Sequence, residues 1–124
     1  MTKICAELGI EVFDISLLEE CKTIFAKLGY FKQATTKKNS IILNYRTSEY
    51  ETFDLETVSD NLCTIIENAY ISEILSQFYS KNKGNCYMSI CFIFNTDNDA
   101  CIILNERIIN LASRLCVKIQ FDGI

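Results

Sequence analysis

The sequence predicts an α+β fold: a single mixed β-sheet with three to four helices packed on it, one domain over residues 1–124. Three observations carry that expectation. The chain has 124 residues, 49% of them hydrophobic, which is enough to bury one core and too apolar for a disordered segment. Residues 3–13 and 117–121 alternate apolar and polar side chains with the period of two that a half-buried strand needs. Between them lie stretches whose apolar residues recur at helical spacing, and one, CYMSICFIF at 86–94, that is apolar on both faces as a central strand must be.

Taken in order, KICAELGIEVF places Ile4, Ala6, Leu8, Ile10 and Val12 on one face and Glu7, Gly9 and Glu11 on the other. SLLEECKTIFAKLG follows as a helix. Ser16 and Glu19 have the spacing of a capping box, Leu17, Cys21, Ile24, Phe25 and Leu28 form an apolar stripe, and Gly29 supplies the stop. Lys32 to Ser40 reads as a polar, basic loop, and Ile41 to Arg46 as a strand with Glu49–Phe53 its hairpin partner across a Thr-Ser turn. Asp54 is placed to cap a helix over 55–69, and a further helix over 71–81 sets Ile71, Ile74, Leu75 and Phe78 on one side. After a loop at 82–85 and the central strand come a polar turn at 95–99, a short strand at 100–104, a helix from Asn105 to Leu115 and the closing strand VKIQF.

Composition excludes several functions. The chain has no His, which removes His-dependent nucleophile systems and imidazole metal sites. A net charge of −4 disfavours binding to nucleic acid, where Lys and Arg must displace counterions, and favours a basic partner. The seven cysteines show no C-x-x-C spacing and fall mostly among apolar neighbours, so they read as small buried hydrophobes and not as a disulfide or zinc framework. No apolar run approaches the roughly 20 residues of a membrane span, and the expected location is the cytoplasm. The expectation is a non-enzyme with no catalytic residue, cofactor or metal.

One feature of the charge is uneven. From Thr47 to Ser80 there are seven acidic side chains and no Lys or Arg. On a helix over 55–69, Glu56, Asp60 and Glu67 fall within about 40° of one another beside the apolar stripe, with no cation four residues on to pair with them. Glu49 and Glu51 share one side of the preceding segment, and Glu73 begins the next helix. The candidate partner-binding residues are therefore Glu49, Tyr50, Glu51, Glu56, Asp60, Glu67 and Glu73, with Tyr50, Tyr70 and Tyr79 available as aromatic contacts. A solvated, solubilising face is the plainer alternative. Glycosidase chemistry is not implied, because it needs two carboxyls facing each other across a cleft and these lie in a row. Cys63 sits at the edge of the acidic stripe, where carboxylates would raise its pKa and make it a poor nucleophile.

Residues 95–106, NTDNDACIILNE, imitate a calcium loop: Asn95, Asp97, Asp99 and Glu106 occupy positions 1, 3, 5 and 12. Against it, position 1 is Asn, position 6 is Ala100 where Gly is needed, and the preceding segment reads as a strand where an entering helix is required.

FDLETVSDNLCTIIENAYISEILSQF and CYMSICFIFNTDNDACIILNERIINLASRLCVKIQFD together resemble the pattern of an uncharacterised bacterial α/β domain family: a helix pair, an apolar strand, a polar turn, then a helix and a closing strand ending in Asp122. A small, acidic, motif-free chain of this kind is also similar to the immunity proteins of contact-dependent growth inhibition and related toxin systems. That resemblance implies a stoichiometric inhibitor, a monomer or weak dimer, that binds one cognate basic toxin domain, often a nuclease. Immunity proteins share no common binding motif, so it assigns no residue. The other class of function open to the sequence is a small-molecule-binding or enzymatic domain with a pocket between sheet and helices.

Overall fold

A computed structural model describes residues 3–47, 50–51, 55–95 and 104–123. The elements are β1 (Lys3–Val12), α1 (Leu18–Ala26), β2 (Lys32–Thr35), β3 (Ile41–Arg46), β4 (Tyr50–Glu51), α2 (Leu55–Asn68), α3 (Ser72–Lys81), β5 (Cys86–Asn95), α4 (Glu106–Leu115) and β6 (Lys118–Gly123). The fold is α+β. Five strands lie side by side in the order β2-β3-β1-β5-β6, antiparallel except for the parallel β5–β6 pair, which α4 connects.

The alternation of β1 does what its sequence requires. Ile4, Ala6, Leu8, Ile10 and Val12 are buried on the face that the helices cover, and β5 adds Cys86, Met88, Ile90 and Phe92 to the same layer. Phe25 of α1, Leu62 and Ile66 of α2, Leu75 of α3 and Leu111 of α4 close on it as one continuous core. The opposite face carries Glu7, Gly9, Glu11, Asn44, Tyr87, Ser89, Cys91 and Gln120, and among the described residues no helix covers it. Gly9 belongs to that face for a steric reason: a Cβ there would lie 2.6 Å from the Asn44 side-chain amide.

Four sequence expectations need correcting. The segment Lys32–Ser40 is not wholly loop, because Lys32–Thr35 form an edge strand on β3. All four of its residues are exposed, so it has no apolar periodicity to read. The segment after β3 does not fold back on it as a hairpin: β4 pairs with β1, on the side where β3 lies. Between the pairs Glu7↔Arg46 and Ile4↔Tyr50, β1 advances three residues and the other chain four, so one residue is extra, as in a β-bulge. Thr47 bridges the irregularity. Its backbone N–H donates to the Ala6 carbonyl at 2.9 Å, and its hydroxyl accepts the Ala6 N–H at 2.9 Å, in the place of a strand carbonyl.

Ser16 does not cap α1. Asp14 caps a 3₁₀ turn at Ile15–Leu17, accepting from the Ser16 N–H at 3.0 Å and the Ser16 hydroxyl at 2.8 Å, and α1 continues from that turn with no side-chain cap of its own. On α3 the buried side is Leu75, Phe78 and Tyr79, while Ile74 faces outward at 37% exposure. Asp54, the turn at 96–99 and the short strand at 100–104 lie outside the described residues, apart from Leu104. Asn105 opens α4 as expected, its side chain accepting the Ile108 N–H at 3.0 Å.

Candidate functional site

The acidic run is carried by α2, the α2–α3 corner and the start of α3. Of the seven candidate residues, Glu49 lies outside the described residues, and Tyr50 and Glu51 are fixed only as the backbone of β4. The helical wheel is correct for the other side of α2: Leu55, Val58, Leu62 and Ile66 are buried, and Glu56 and Glu67 are exposed with Asp60 half-buried between them.

What the sequence did not show is a cation. Arg107, on the first turn of α4, reaches across to α2. Its Nη2 donates to Glu67 Oε2 at 2.7 Å and to Thr64 Oγ1 at 3.0 Å, and its Nη1 lies 3.7 Å from Asp60 Oδ1. Asn105 donates its side-chain amide to the same Asp60 oxygen at 3.0 Å. The hydrogen bond from Arg107 holds the Glu67 carboxyl below its usual range, and the same bond raises Arg107. Two carboxylates of the stripe are therefore partly neutralised and fixed in place. Among the described residues no cation pairs with Glu56 or Glu73, and Glu106 adds another exposed carboxylate beside Arg107. The face remains acidic, with Glu56, Glu73 and Glu106 free of ion pairs among the described residues.

Of the aromatic candidates, Tyr79 is buried at 9% exposure and has no surface to offer, whereas Tyr70 is 85% exposed. Tyr70 occupies the corner between α2 and α3 with φ at 55°, a left-handed conformation that a bulky side chain adopts only at an energetic cost. Its N–H closes the end of α2 on the Glu67 carbonyl at 3.1 Å. Glu67 and Glu73 stand three residues to either side of it. The structure thus presents an aromatic ring to solvent on a left-handed corner, with one carboxylate three residues before it in the chain and another three after. Nothing in the sequence announces the strain, since glycine is the residue expected there.

Cys63 is not at the surface edge of the acidic stripe: it is buried under it. Burial, ahead of any charge, pushes its thiol up to about 11, with Arg107 opposing and Glu67 and Asp60 reinforcing the rise. It is held as an unreactive thiol, and Cys21 is pushed up to about 12, again chiefly by burial.

Among the described residues the space between sheet and helices is occupied by buried side chains such as Leu8, Ile10, Leu62, Ile66, Met88 and Phe92. Among the described residues three surface depressions stand outside it: a small one of about 100 Å³ beside Tyr30 and Arg46, and two larger. One, of about 300 Å³, lies on the open sheet face among Glu7, Glu11, Asn44, Tyr87, Cys91, Gln120 and Asp122. The other, of about 370 Å³, lies between α3 and α4 and is lined by Ser72, Glu73, Ser76 and Arg114. Most of the calcium-like segment, 96–103, is outside the described residues, and the element that precedes it is the strand β5. Among the described residues no helix is long and apolar enough to cross a membrane, and no three His, Cys, Asp or Glu side chains group as metal ligands. No protein-family model, no curated protein and no solved structure matches the chain.

Proposed function

We propose that the protein is a non-catalytic binding module that docks a basic protein through the α2–α3 corner, and that it acts as an immunity protein does, as a cytoplasmic stoichiometric inhibitor of a basic toxin domain such as a nuclease. The observation that carries the reading is Tyr70: exposed at 85%, left-handed at φ 55°, and flanked in the chain by Glu67 and Glu73. A left-handed residue ends α2 here as Cys116 ends α4, and glycine would do so without steric cost, so the fold has no need of an exposed tyrosine at this position; such strain collects at sites of function. An aromatic centre with a charged rim is also the composition of an interface hot spot. Glu67, held by Arg107, and Glu56 and Glu73, which no cation neutralises among the described residues, supply the rim, and their field would speed encounter with a basic surface. A nuclease fits the complementary role because its own site is built to attract phosphates, which a carboxylate-rich face imitates in charge.

The test is affinity capture from the source cells at low and high salt, with the wild-type chain and a Glu56→Lys/Glu73→Lys chain as parallel baits. Asp60 and Glu67 are left intact because a Lys at either would abut Arg107 and disturb the fold. The reading expects one basic protein on the wild-type bait, weakened by high salt and depleted on the variant. Equal capture by both baits, or binding indifferent to salt, would refute the acidic-face assignment.

A further inference from the structure

The two edges of the sheet are built differently. The β2 edge is short, wholly exposed and guarded by Lys32, with Lys37 and Lys38 in the turn that follows, a pattern that discourages pairing with another strand. The β6 edge is longer, and its one Lys, Lys118, is matched on the same face by Asp122. Among the described residues β6 has one partner strand, β5, and its other side is unpaired along Lys118–Gly123. Phe121 on that strand is 41% exposed although it stacks on the core residue Phe92 at 5.8 Å, and Ile119 is only partly buried against the core.

The order of side chains on β6 is symmetric about Gln120. Lys118, Gln120 and Asp122 lie opposite Ser89, Cys91 and Ile93 on the open sheet face, while Ile119 and Phe121 lie opposite Ile90 and Phe92 on the helix face. We propose that β6 is a self-association edge, and that its occupant is a second copy of this chain paired antiparallel about Gln120. In that register Lys118 of each copy stands across from Asp122 of the other on the open face, giving two opposite-charge pairs. On the helix face Ile119 stands across from Phe121 of the other copy, which extends both cores over the seam. Directly opposed residues of an antiparallel pair share a face, so both matches follow from the pairing alone. A slip of two residues in either direction sets Lys118 or Asp122 against Gln120 and removes both charge pairs, so the sequence selects one register. The β2 edge contains no acid to play the same part. The inference does not depend on the function proposed for the α2–α3 corner.

Sedimentation equilibrium of the full chain tests it. The interface is small, so the dimer is weak, and the wild type should rise from 14.2 kDa towards twice that mass at concentrations on the order of 100 µM. Lys118→Asp places two acids against each other in each pair and Asp122→Lys two lysines, so each variant alone should dimerise at least roughly tenfold more weakly while keeping the wild-type circular dichroism spectrum. Mixed in equal amounts, the two variants regain both opposite-charge pairs and should form a heterodimer at about the wild-type strength. A wild type that stays monomeric throughout, single variants that associate as the wild type does, or a mixture no stronger than its components would each overturn the proposal.

Discussion

Replacing Tyr70 by glycine should make the protein more stable, although it deletes a large side chain. The residue holds φ at 55°, where an L side chain with a Cβ is disfavoured by about 1–2 kcal/mol. The ring is 85% exposed, so its removal takes almost no apolar burial from the fold. Glycine relieves the strain but loses more conformational freedom on folding, which offsets about 0.5–1 kcal/mol. The net expectation is a gain of about 0.5–1 kcal/mol. Tyr70→Ala is the control: it keeps the Cβ and therefore the strain, and should stay within about 0.5 kcal/mol of the wild type. Urea unfolding followed by circular dichroism measures both, with the midpoint shifting at unchanged slope. If glycine is no more stable than alanine at this position, the corner is not strained, and Tyr70 loses its claim to be held there for another purpose.

Three further outcomes follow from other parts of the structure. Thr47→Val keeps the shape but leaves the Ala6 N–H buried without an acceptor, and should cost about 1–3 kcal/mol, more than Thr47→Ser, which keeps the hydroxyl; a valine variant as stable as the serine one would contradict the bridging role seen at 2.9 Å. Asn105→Ala removes both the cap on the Ile108 N–H and the hydrogen bond to Asp60, and should lower stability by about 1–2 kcal/mol, with loss of less than about 0.3 kcal/mol ruling out a working cap. The buried Cys63 thiol rises from 9.0 to about 11, so its contribution is intact below pH 9 and is lost between pH 9 and about 11, where the unfolded chain has released its proton and the folded chain has not. Each such thiol removes about 1.4 kcal/mol per pH unit across that window, and Cys63→Ala should flatten the alkaline fall measured by urea midpoints; an identical fall in that variant would place the thiol in contact with solvent.

What could be read from the sequence was whatever one dry and one wet face impress on a chain. β1 and α2 were legible because their apolar residues recur with the period of the element, and each buries that side. β2 was not, because an edge strand exposed on both faces leaves no periodicity. The course of β3 into β4 turned on one threonine hydroxyl replacing a backbone carbonyl, a substitution that hydrophobic pattern does not encode. At the candidate site the carboxylates of α2 were placed correctly, but their charge was not: Arg107 is 40 residues from Glu67 in sequence and meets it only because α4 packs on α2. Tyr79 follows Phe78 and lies four residues after Leu75, so helical spacing alone places it on the buried side of α3 and not among the surface aromatics. The left-handed corner at Tyr70 was illegible for the opposite reason, since the local rule favours glycine there and the chain breaks the rule.

The central claim is that Tyr70 is displayed at the expense of stability in order to bind a basic protein. Parallel capture on immobilised wild-type and Tyr70→Gly chains, with both baits shown to be folded, tests it most directly. The account predicts that the glycine chain unfolds at higher urea yet retains at least roughly tenfold less of the basic partner than the wild type does. Equal amounts of the same partner on both baits, or no protein retained by either, would contradict it.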